Sequence, residues 1–319
     1  MRIYLKGILI LCALAFLPGF PGASSADAGT SIVILKSDDL TSTKRSLHGI
    51  KKVIGRKHSD IVYNEYLVNQ SPGQDLLLID SVNSLKPSLI VTVGTSATKL
   101  AQTNFTDIPI VFSSVMYPAL SGFVESMAQP GKNTTGASLN IAVDVQFRTF
   151  HDIVPNLKKI GVLYSNNTAG LIKPAQAVAA KMGMSLTAVR VNEAKELPGA
   201  LDSLTRTVEG IWSVADAELF TPQSTRYILL NTLRKGIPFM GFSRHVVESG
   251  ALFALDFDYK AVGQQAGAIA ARVIDGEPPG EISVSTVDVL WFHYNEKTAK
   301  HISVSIPSEL IAVAKEVYR

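Results

Sequence analysis

The sequence predicts an α/β protein made of two doubly wound parallel-sheet lobes joined by a hinge. Short, wholly apolar segments alternate with segments of helical periodicity, a pattern typical of parallel strands covered by helices on both faces. The alternation runs from residue 31 to about residue 112 and restarts after Gly136. A chain of 319 residues is also long enough for two domains.

The first 28 residues are typical of a secretory signal peptide. Arg2 and Lys6 precede an apolar stretch at residues 7–17, which is too short to span a bilayer comfortably. The small residues that follow allow cleavage after Ala26 or after Ala28. We therefore expect an exported, periplasmic protein; an uncleaved membrane anchor is the alternative.

Composition excludes several classes of function. Cys12, the only cysteine, lies in the predicted signal peptide, so the mature chain has no disulfide, thiolate metal site or cysteine nucleophile. Without Arg2 and Lys6, the 30 basic residues fall to 28 against 27 acidic residues. This balance favours no nucleic-acid partner. The six histidines show no metal-ligand spacing and no nucleotide-binding fingerprint is present, so we expect neither metal nor cofactor.

Four strands and three helices are predicted in the first round of the alternation. The strands cover residues 31–36, 61–67, 88–93 and 108–112. The helices cover residues 41–57, 71–85 and 94–102. The second helix has the clearest start, because Ser71 is followed by Pro72 and then by Gln74.

The second round repeats the pattern and adds a tail. Its strands are predicted at residues 160–165, 185–191, 210–214, 238–242 and 251–256. Its helices are predicted at residues 145–154, 169–182, 195–208, 222–235 and 261–275. A further strand is predicted at 281–287 and a last helix from Ser308, with Ser308 as its N-cap. This tail indicates that the chain crosses between the lobes more than once.

Several short segments occur in a particular order between Ser31 and Pro307. The set includes residues 94–98 (GTSAT), 129–136 (QPGKNTTG), 159–164 (KIGVLY), 235–238 (KGIP), 275–276 (DG) and 294–295 (YN). No one segment is specific, but their order and spacing together are. In both respects the chain resembles the ABC-transporter substrate-binding family that includes tryptophan- and tyrosine-type importers.

The resemblance implies a type I periplasmic-binding fold with three hinge crossings. One lobe would comprise residues 29–138 and 256–287, and the other residues 139–255 and 288–319. A small-molecule ligand would lie between them, at the carboxyl ends of the strands. The resemblance further implies a monomer whose closed form is recognised by an ABC permease in the cytoplasmic membrane. An extracytoplasmic sensor for a membrane signalling receptor is the alternative function for this fold.

Candidate ligand-binding residues follow the predicted strands. The first group opens a helix after a buried strand, where free N–H groups and the helix dipole suit a ligand carboxylate: Gly94, Thr95, Ser96, Ala97 and Thr98. Ordinary capping by Thr95 or Ser96 is the structural alternative. The other candidates follow later strands: Ser113, Ser114, Met116, Tyr117, Ser165, Asn166, Asp216, Ser243 and Asp256.

The acidic candidates bear on the class of ligand. Many members of the family carry Asp-Pro after the fourth strand, where this chain has Tyr117 and Pro118. A tyrosine can stack on a ligand or hydrogen-bond it, but it cannot pair as a charge with an ammonium group. Asp216 and Asp256 are the remaining carboxylates for a ligand amine, with helix capping or loop hydrogen bonding as the alternative for each.

A serine hydrolase is the third functional class. Residues 94–98 miss the Gly-x-Ser-x-Gly nucleophile motif by one position, because Thr98 replaces the last glycine. Ser96 would be the nucleophile, with His245, His293 or His301 as the base. No second oxyanion motif of the His-Gly-Gly type is present, so we expect a binding protein and not an enzyme.

Overall fold

Two separate β-sheets, each flanked by helices, organise the protein. The structure, a computed structural model, describes residues 30–68 and 71–319. The predicted signal peptide, residues 1–28, lies outside the described residues. Within the described ranges, no helix is long and apolar enough to cross a membrane.

The first sheet has five parallel strands in the order β2-β1-β3-β4-β5. They are β1 (Thr30–Lys36), β2 (Ile61–Leu67), β3 (Leu89–Val93), β4 (Ile110–Val115) and β5 (Thr134–Ser138). The helices that connect them are α1 (Thr41–Lys57), α2 (Pro72–Leu85) and α3 (Thr95–Asn104). The central strand β3 is buried along its whole length, which fits its mainly apolar sequence.

The second sheet has seven strands in the order β12-β11-β10-β9-β8-β6-β7. They are β6 (Lys159–Tyr164), β7 (Ser185–Arg190), β8 (Gly210–Trp212), β9 (Phe239–Gly241), β10 (Phe253–Phe257), β11 (Leu290–Asn295) and β12 (Ala314–Tyr318). The pairing of β10 with β11 is antiparallel, and the other pairings are parallel. The predicted lobe boundary at residue 256 falls inside β10.

Eight further helices complete the described part of the chain. They are α4 (Val143–Ile153), α5 (Ile172–Lys181), α6 (Leu197–Thr205), α7 (Pro222–Arg234), α8 (Arg244–Glu248), α9 (Tyr259–Ile274), α10 (Glu296–His301) and α11 (Ser308–Ala312). Helix α9 follows β10 of the second sheet but packs against α1, β4 and β5 of the first. The chain therefore passes from the second sheet back to the first after β10.

The predicted strand at residues 281–287 is wrong. This segment makes a single bridge to the first sheet, between Ser285 and Ala137. A 3-10 turn at Pro279–Glu281 leads into it, and the N–H of Ile282 donates back to the carbonyl of Pro279. The N–H of Val284 donates to the carbonyl of Met127 in a loop. The β-branched residues of the segment suit an extended chain. Its backbone hydrogen bonds go partly to the loop at Met127 and partly to the edge of β5, so no continuous strand forms.

Three strands were not predicted. β5 has the sequence TTGAS, which contains no apolar run, although all five residues are buried. β11 and β12 lie in the C-terminal part, where the predicted helix begins at Ser308 but ends after five residues at Ala312. Pro307 takes the cap position that was predicted for Ser308. The chain then continues as β12 at the edge of the second sheet.

Helices α1 and α9 touch through glycines. A Cβ atom on Gly263 would overlap the carbonyl oxygen of Ser46, and one on Gly49 would overlap that of Lys260. One turn beyond Gly263, a Cβ on Gly267 would lie 2.7 Å from a carbonyl oxygen of α1. The absent side chains thus let the two backbones meet, and this contact seats α9 on the first sheet.

Candidate functional site

Two neighbouring cavities lie between the sheets, mainly at the carboxyl ends of their strands. The larger has a volume of about 740 Å³ and the smaller a volume of about 40 Å³. Residues from both sheets line both cavities: Met116, Leu139, Ala215, Phe242 and Phe257. Because they share these walls, we treat them as one site, the inter-sheet cavity.

The smaller void forms the uncharged end of the inter-sheet cavity. Trp212 in its wall is 2% exposed, and its indole N–H donates to Oε1 of Gln146 at 2.7 Å. The amide of Gln146 in turn donates to the carbonyl of Ile141 at 2.8 Å. The indole N–H of Trp212 and the amide of Gln146 are thus already engaged with each other and with the backbone.

The opposite end of the inter-sheet cavity is charged. It is lined by Arg45, Arg244, His245, Asp256, Trp291, His293, Lys315 and Glu316. Trp291 lies between two cations, because Arg45 is 5.3 Å and Lys315 is 4.8 Å from the centre of its ring. Such cation–π contacts hold both long side chains against the indole.

Asp256 carries an unpaired charge at this end. Arg45 pairs with Asp258 at 2.7 Å, and Arg244 pairs with Glu316 at 3.3 Å. The carboxylate of Asp256 accepts two backbone N–H hydrogen bonds, at 2.8 and 3.3 Å, but forms no ion pair with a described residue. Its negative charge is therefore available to a cationic group of a ligand.

Tyr117 joins the two sides of the inter-sheet cavity. Its hydroxyl lies beside the backbone of Ala215, three residues after β8, while its own N–H donates to Oδ1 of Asn140 at 2.8 Å. Burial raises the pKa of Tyr117 to about 12; the backbone of Ala215 opposes this rise, and the charge of Asp216 adds to it. The phenol stays protonated at physiological pH and serves as a neutral bridge.

The predicted anion site at residues 94–98 does not line the inter-sheet cavity. Thr95 and Ser96 are exposed, and Ser96 borders a separate groove of about 530 Å³ between α2 and α3. Gly94, with φ of 95°, takes the cap position, so neither hydroxyl caps the helix. The predicted carboxylate site at this helix start stays a prediction.

The rest of that helix start is used internally. Ala97 is buried, and its N–H donates to Oγ of Ser37 at 3.0 Å. Thr98 is also buried, and its hydroxyl lies 2.8 Å from that of Thr92. Both residues therefore tie α3 to the strands beneath it.

Ser113 and Ser114 end β4 without lining the inter-sheet cavity. The hydroxyl of Ser113 is buried, 2.8 Å from that of Ser46 on α1. Ser114 has φ of 59°, and its buried hydroxyl has no hydrogen-bond partner among the described residues. Met116 and Tyr117, two and three residues further on, are the ones that reach the cavity.

Asp216 is the centre of a buried hydrogen-bond cluster with Ser165. One oxygen accepts from the hydroxyl of Thr168 at 2.6 Å and the N–H of Ser165 at 3.1 Å; the other accepts two N–H groups of the following turn. Burial alone would raise the pKa of Asp216, but these hydrogen bonds outweigh it and hold the pKa below its ordinary value. Asn166, beside Ser165, is exposed.

An Asp216→Asn variant should lower the free energy of unfolding by about 2–3 kcal/mol at neutral pH, because an amide NH₂ cannot accept the bonds of Ser165 and Thr168. The folded-state pKa lies below the unfolded value of about 3.9, so the ionised carboxylate stabilises the fold above that value. The difference between variant and wild type should shrink as pH falls through the folded-state pKa. Urea unfolding at several pH values measures it, with exposed Glu218→Gln as the control; equal effects of the two changes would contradict the assignment.

Four of the predicted ligand-binding residues line the inter-sheet cavity: Met116, Tyr117, Ser243 and Asp256. The lining residues that the sequence did not indicate as ligand-binding include Arg45, Leu139, Phe242, Trp291 and His293. Phe242 ends the same predicted strand that Ser243 follows, so the strand-end position that indicates Ser243 also indicates Phe242. Trp291 and His293 join the site only through the pairing of β11 with β10.

Comparison with known proteins identifies the family. The sequence pattern described as ABC transporter substrate binding protein matches residues 31–318. The chain belongs to this family. This substrate-binding protein is 27% identical, over 222 residues, to a tyrosine-binding protein from Clostridioides difficile strain R20291. The match covers 69% of this chain, and the chain spans 64% of the length of that relative.

Solved structures share the fold of this substrate-binding protein. A protein from Streptococcus pneumonia in complex with L-Trp superposes with a TM-score of 0.64 at 21% identity. A ligand-free, open substrate-binding protein with adhesive properties from Clostridium difficile gives 0.73, also at 21% identity. Each comparison covers 91% of this chain and 99% of the other. The predicted type I periplasmic-binding-like α/β fold is confirmed.

The family assignment also decides the question of an enzyme. ABC substrate-binding proteins bind solutes outside the cytoplasm and are not enzymes, which confirms the prediction of a binding protein. Ser96, the nucleophile of the hydrolase alternative, lies at the start of α3 beside the first sheet. His245, His293 and His301 belong to the second sheet and its helices.

Proposed function

We propose that this substrate-binding protein captures an aromatic amino acid and delivers it to an ABC permease. The inter-sheet cavity is the observation that carries the proposal, because it combines aromatic and apolar walls with charges of both signs. Its volume of about 740 Å³ is in the usual range for sites that enclose a small ligand. The names of two relatives, one tyrosine-binding and one solved with L-Trp, support the same ligand class.

In this proposal, Asp256 holds the ammonium group of the ligand. Its carboxylate lines the inter-sheet cavity and has no ion-pair partner among the described residues. Asp216, the other acidic candidate, already accepts four hydrogen bonds in a closed cluster. Asp256 thus supplies the charge that Tyr117, in the position where relatives carry aspartate, lacks.

The apolar walls would receive the aromatic side chain. Met116 and Leu139 come from the first sheet, while Phe242 and Phe257 come from the second. Aromatic rings prefer edge and offset contacts with other rings, and Phe242 and Phe257 make such contacts with Phe220 and Tyr259 already. The ligand carboxylate would face the guanidinium of Arg244 at the charged end.

Two contacts between segments of the two sheets favour a closed arrangement around the ligand. The hydroxyl of Tyr117 lies beside the backbone of Ala215, and the side chain of Leu120 packs against Gly170. Leu120 and Tyr117 follow β4 of the first sheet, whereas Ala215 and Gly170 follow strands of the second. Closure of this kind excludes water and strengthens the charge interactions of the ligand.

A Tyr117→Phe variant should bind its ligand about fivefold more weakly, because it loses a neutral hydrogen bond of about 1 kcal/mol that the closed form makes. Titration calorimetry measures the change. Tyr227→Phe on α7, away from the inter-sheet cavity, is the matched control and should leave the affinity unchanged. Equal affinities of the Tyr117 variant and the wild type would mean that the bridge to Ala215 does not contribute to closure.

The transport role needs export and a partner. We propose that the signal peptide, residues 1–28, is removed by cleavage after Ala26 or Ala28. We further propose that the mature protein is a monomer of two lobes. One lobe comprises residues 29–138 and 256–287, and the other comprises residues 139–255 and 288–319. The closed form of these lobes would dock on an ABC permease. The family match supports an extracytoplasmic binding protein.

Thermal unfolding of residues 29–319 against a panel of ligands tests the proposed function. The panel holds aromatic and branched amino acids, short peptides, purines and sugars. A ligand present at a thousand times its dissociation constant stabilises the protein by about 4 kcal/mol, a shift of several degrees. We expect that shift with L-tryptophan or L-tyrosine. A shift with purines or sugars alone would overturn the proposed ligand class.

A further inference from the structure

His293 is an unpaired polar group in the wall of the inter-sheet cavity. It is 1% exposed, and neither of its ring nitrogens has a hydrogen-bond partner among the described residues. Burying a polar atom without a partner costs free energy, so native proteins keep few such groups, and each calls for an explanation. The position of His293 in the second sheet supplies one.

The strand pairing places His293 between two carboxylates. His293 lies opposite Ala254 across the antiparallel β10–β11 pair and opposite Glu316 across the parallel β11–β12 pair. Asp256 is two residues beyond Ala254, so its side chain leaves the sheet on the same face. The side chains of Asp256, His293 and Glu316 therefore share one face of three adjacent strands.

Charged groups surround this imidazole from each neighbouring element: Asp256 on β10, Glu316 and Lys315 on β12, and Arg244 on α8. Nδ1 of His293 lies 3.6 Å from Oε2 of Glu316, which is too long for a hydrogen bond but suits an ion pair once the ring is protonated. Burial lowers the pKa of His293, the two carboxylates oppose this, and the two cations add to it. The ring is thus neutral at neutral pH.

We propose that His293 is a positioning residue that sets, through Asp256 and Glu316, how strongly the site holds an ammonium group. This inference rests on the proposed function. While the ring is neutral, the carboxylate of Asp256 is unpaired and attracts the ammonium group of the ligand. Once the ring takes up a proton, the imidazolium competes for both carboxylates and adds a positive charge beside the ligand. Acidification therefore releases ligands that carry an amine.

The test is the affinity for L-tryptophan at about pH 7.5 and about pH 5, the range over which histidine side chains change charge. A ligand that lowers the pKa of His293 by one unit binds up to tenfold more weakly once the pH is below both pKa values, and the loss is smaller at a pH between them. We expect the wild type to lose about fivefold and His293→Gln, which keeps a polar side chain but cannot titrate, to lose less than about twofold. His151→Gln, at an exposed histidine of α4 that lines neither cavity, should behave as the wild type.

Two additions make the test decisive. Indole-3-propionate, which lacks the amine, should show no such loss on acidification. His293→Val, a small apolar residue suited to a buried strand, replaces the glutamine variant if circular dichroism shows that variant unfolded. A pH-independent affinity of the wild type, an unchanged profile in both variants, or an equal loss for indole-3-propionate overturns the inference and leaves the proposed function intact. Absence of binding to any amino acid overturns both.

Discussion

An Asp256→Asn variant is expected to bind L-tryptophan or L-tyrosine about 10- to 100-fold more weakly than the wild type. Asparagine keeps the shape of the side chain and can still accept a backbone N–H, so the fold should not change. The loss follows from the missing charge, because a hydrogen bond to a charged group contributes about 1.5–3 kcal/mol. Titration calorimetry at neutral pH measures it directly.

Asp258→Asn is the matched control for that variant. Asp258 stands two residues away, pairs with Arg45 and caps α9 by accepting the N–H of Lys260. Its loss should lower the thermal stability slightly and leave the affinity within about twofold, since exposed ion pairs contribute little. Equal losses of affinity in the two variants would mean that the ammonium group is not held at Asp256.

A Gly263→Ala variant is expected to be less stable by about 3 kcal/mol, which is large for the addition of one methyl group. The new Cβ would overlap the carbonyl oxygen of Ser46, and a backbone atom cannot rotate away as a side chain can. Helices α1 and α9 would have to separate, and the packing of α9 on the first sheet would loosen. Urea unfolding gives the change in free energy.

Gly55→Ala controls for helix propensity in the same pair of helices. Gly55 lies in α1, and a Cβ there meets nothing within 4 Å. This substitution should stabilise the protein by about 0.5–1 kcal/mol, because alanine favours a helix over glycine. Stabilisation by both substitutions would show that α1 and α9 are not in backbone contact.

The elements that the sequence predicts well are those whose signal is local. β1 and β3 are rich in apolar residues, and the hydroxyl of Ser71 caps α2 by accepting the N–H of Gln74 as predicted. β5 is different, because its small polar residues are buried only by their neighbours. The segment 281–287 shows the reverse case, in which residues suited to a strand find only one bridging partner.

The same distinction between local signals and long-range contacts applies to the residues of the candidate site. Met116 and Tyr117 follow β4 and Asp256 lies near the end of β10, so their positions at strand ends indicate them in the sequence. His293 and Trp291 lie within β11, which runs antiparallel to β10, and no local pattern reveals that pairing. The hydrogen bonds that occupy Asp216 are equally hidden, because two of their donors, Ser165 and Thr168, are about 50 positions away in the sequence.

The most direct test of the central claim is a crystal structure of residues 29–319 with L-tryptophan or L-tyrosine. We expect the ligand in the inter-sheet cavity, with its ammonium nitrogen within hydrogen-bonding distance of Asp256 and its ring against Phe242 and Phe257. A ligand whose ammonium group is held by other residues, or a ligand seated at Ser96 in the groove between α2 and α3, would contradict it.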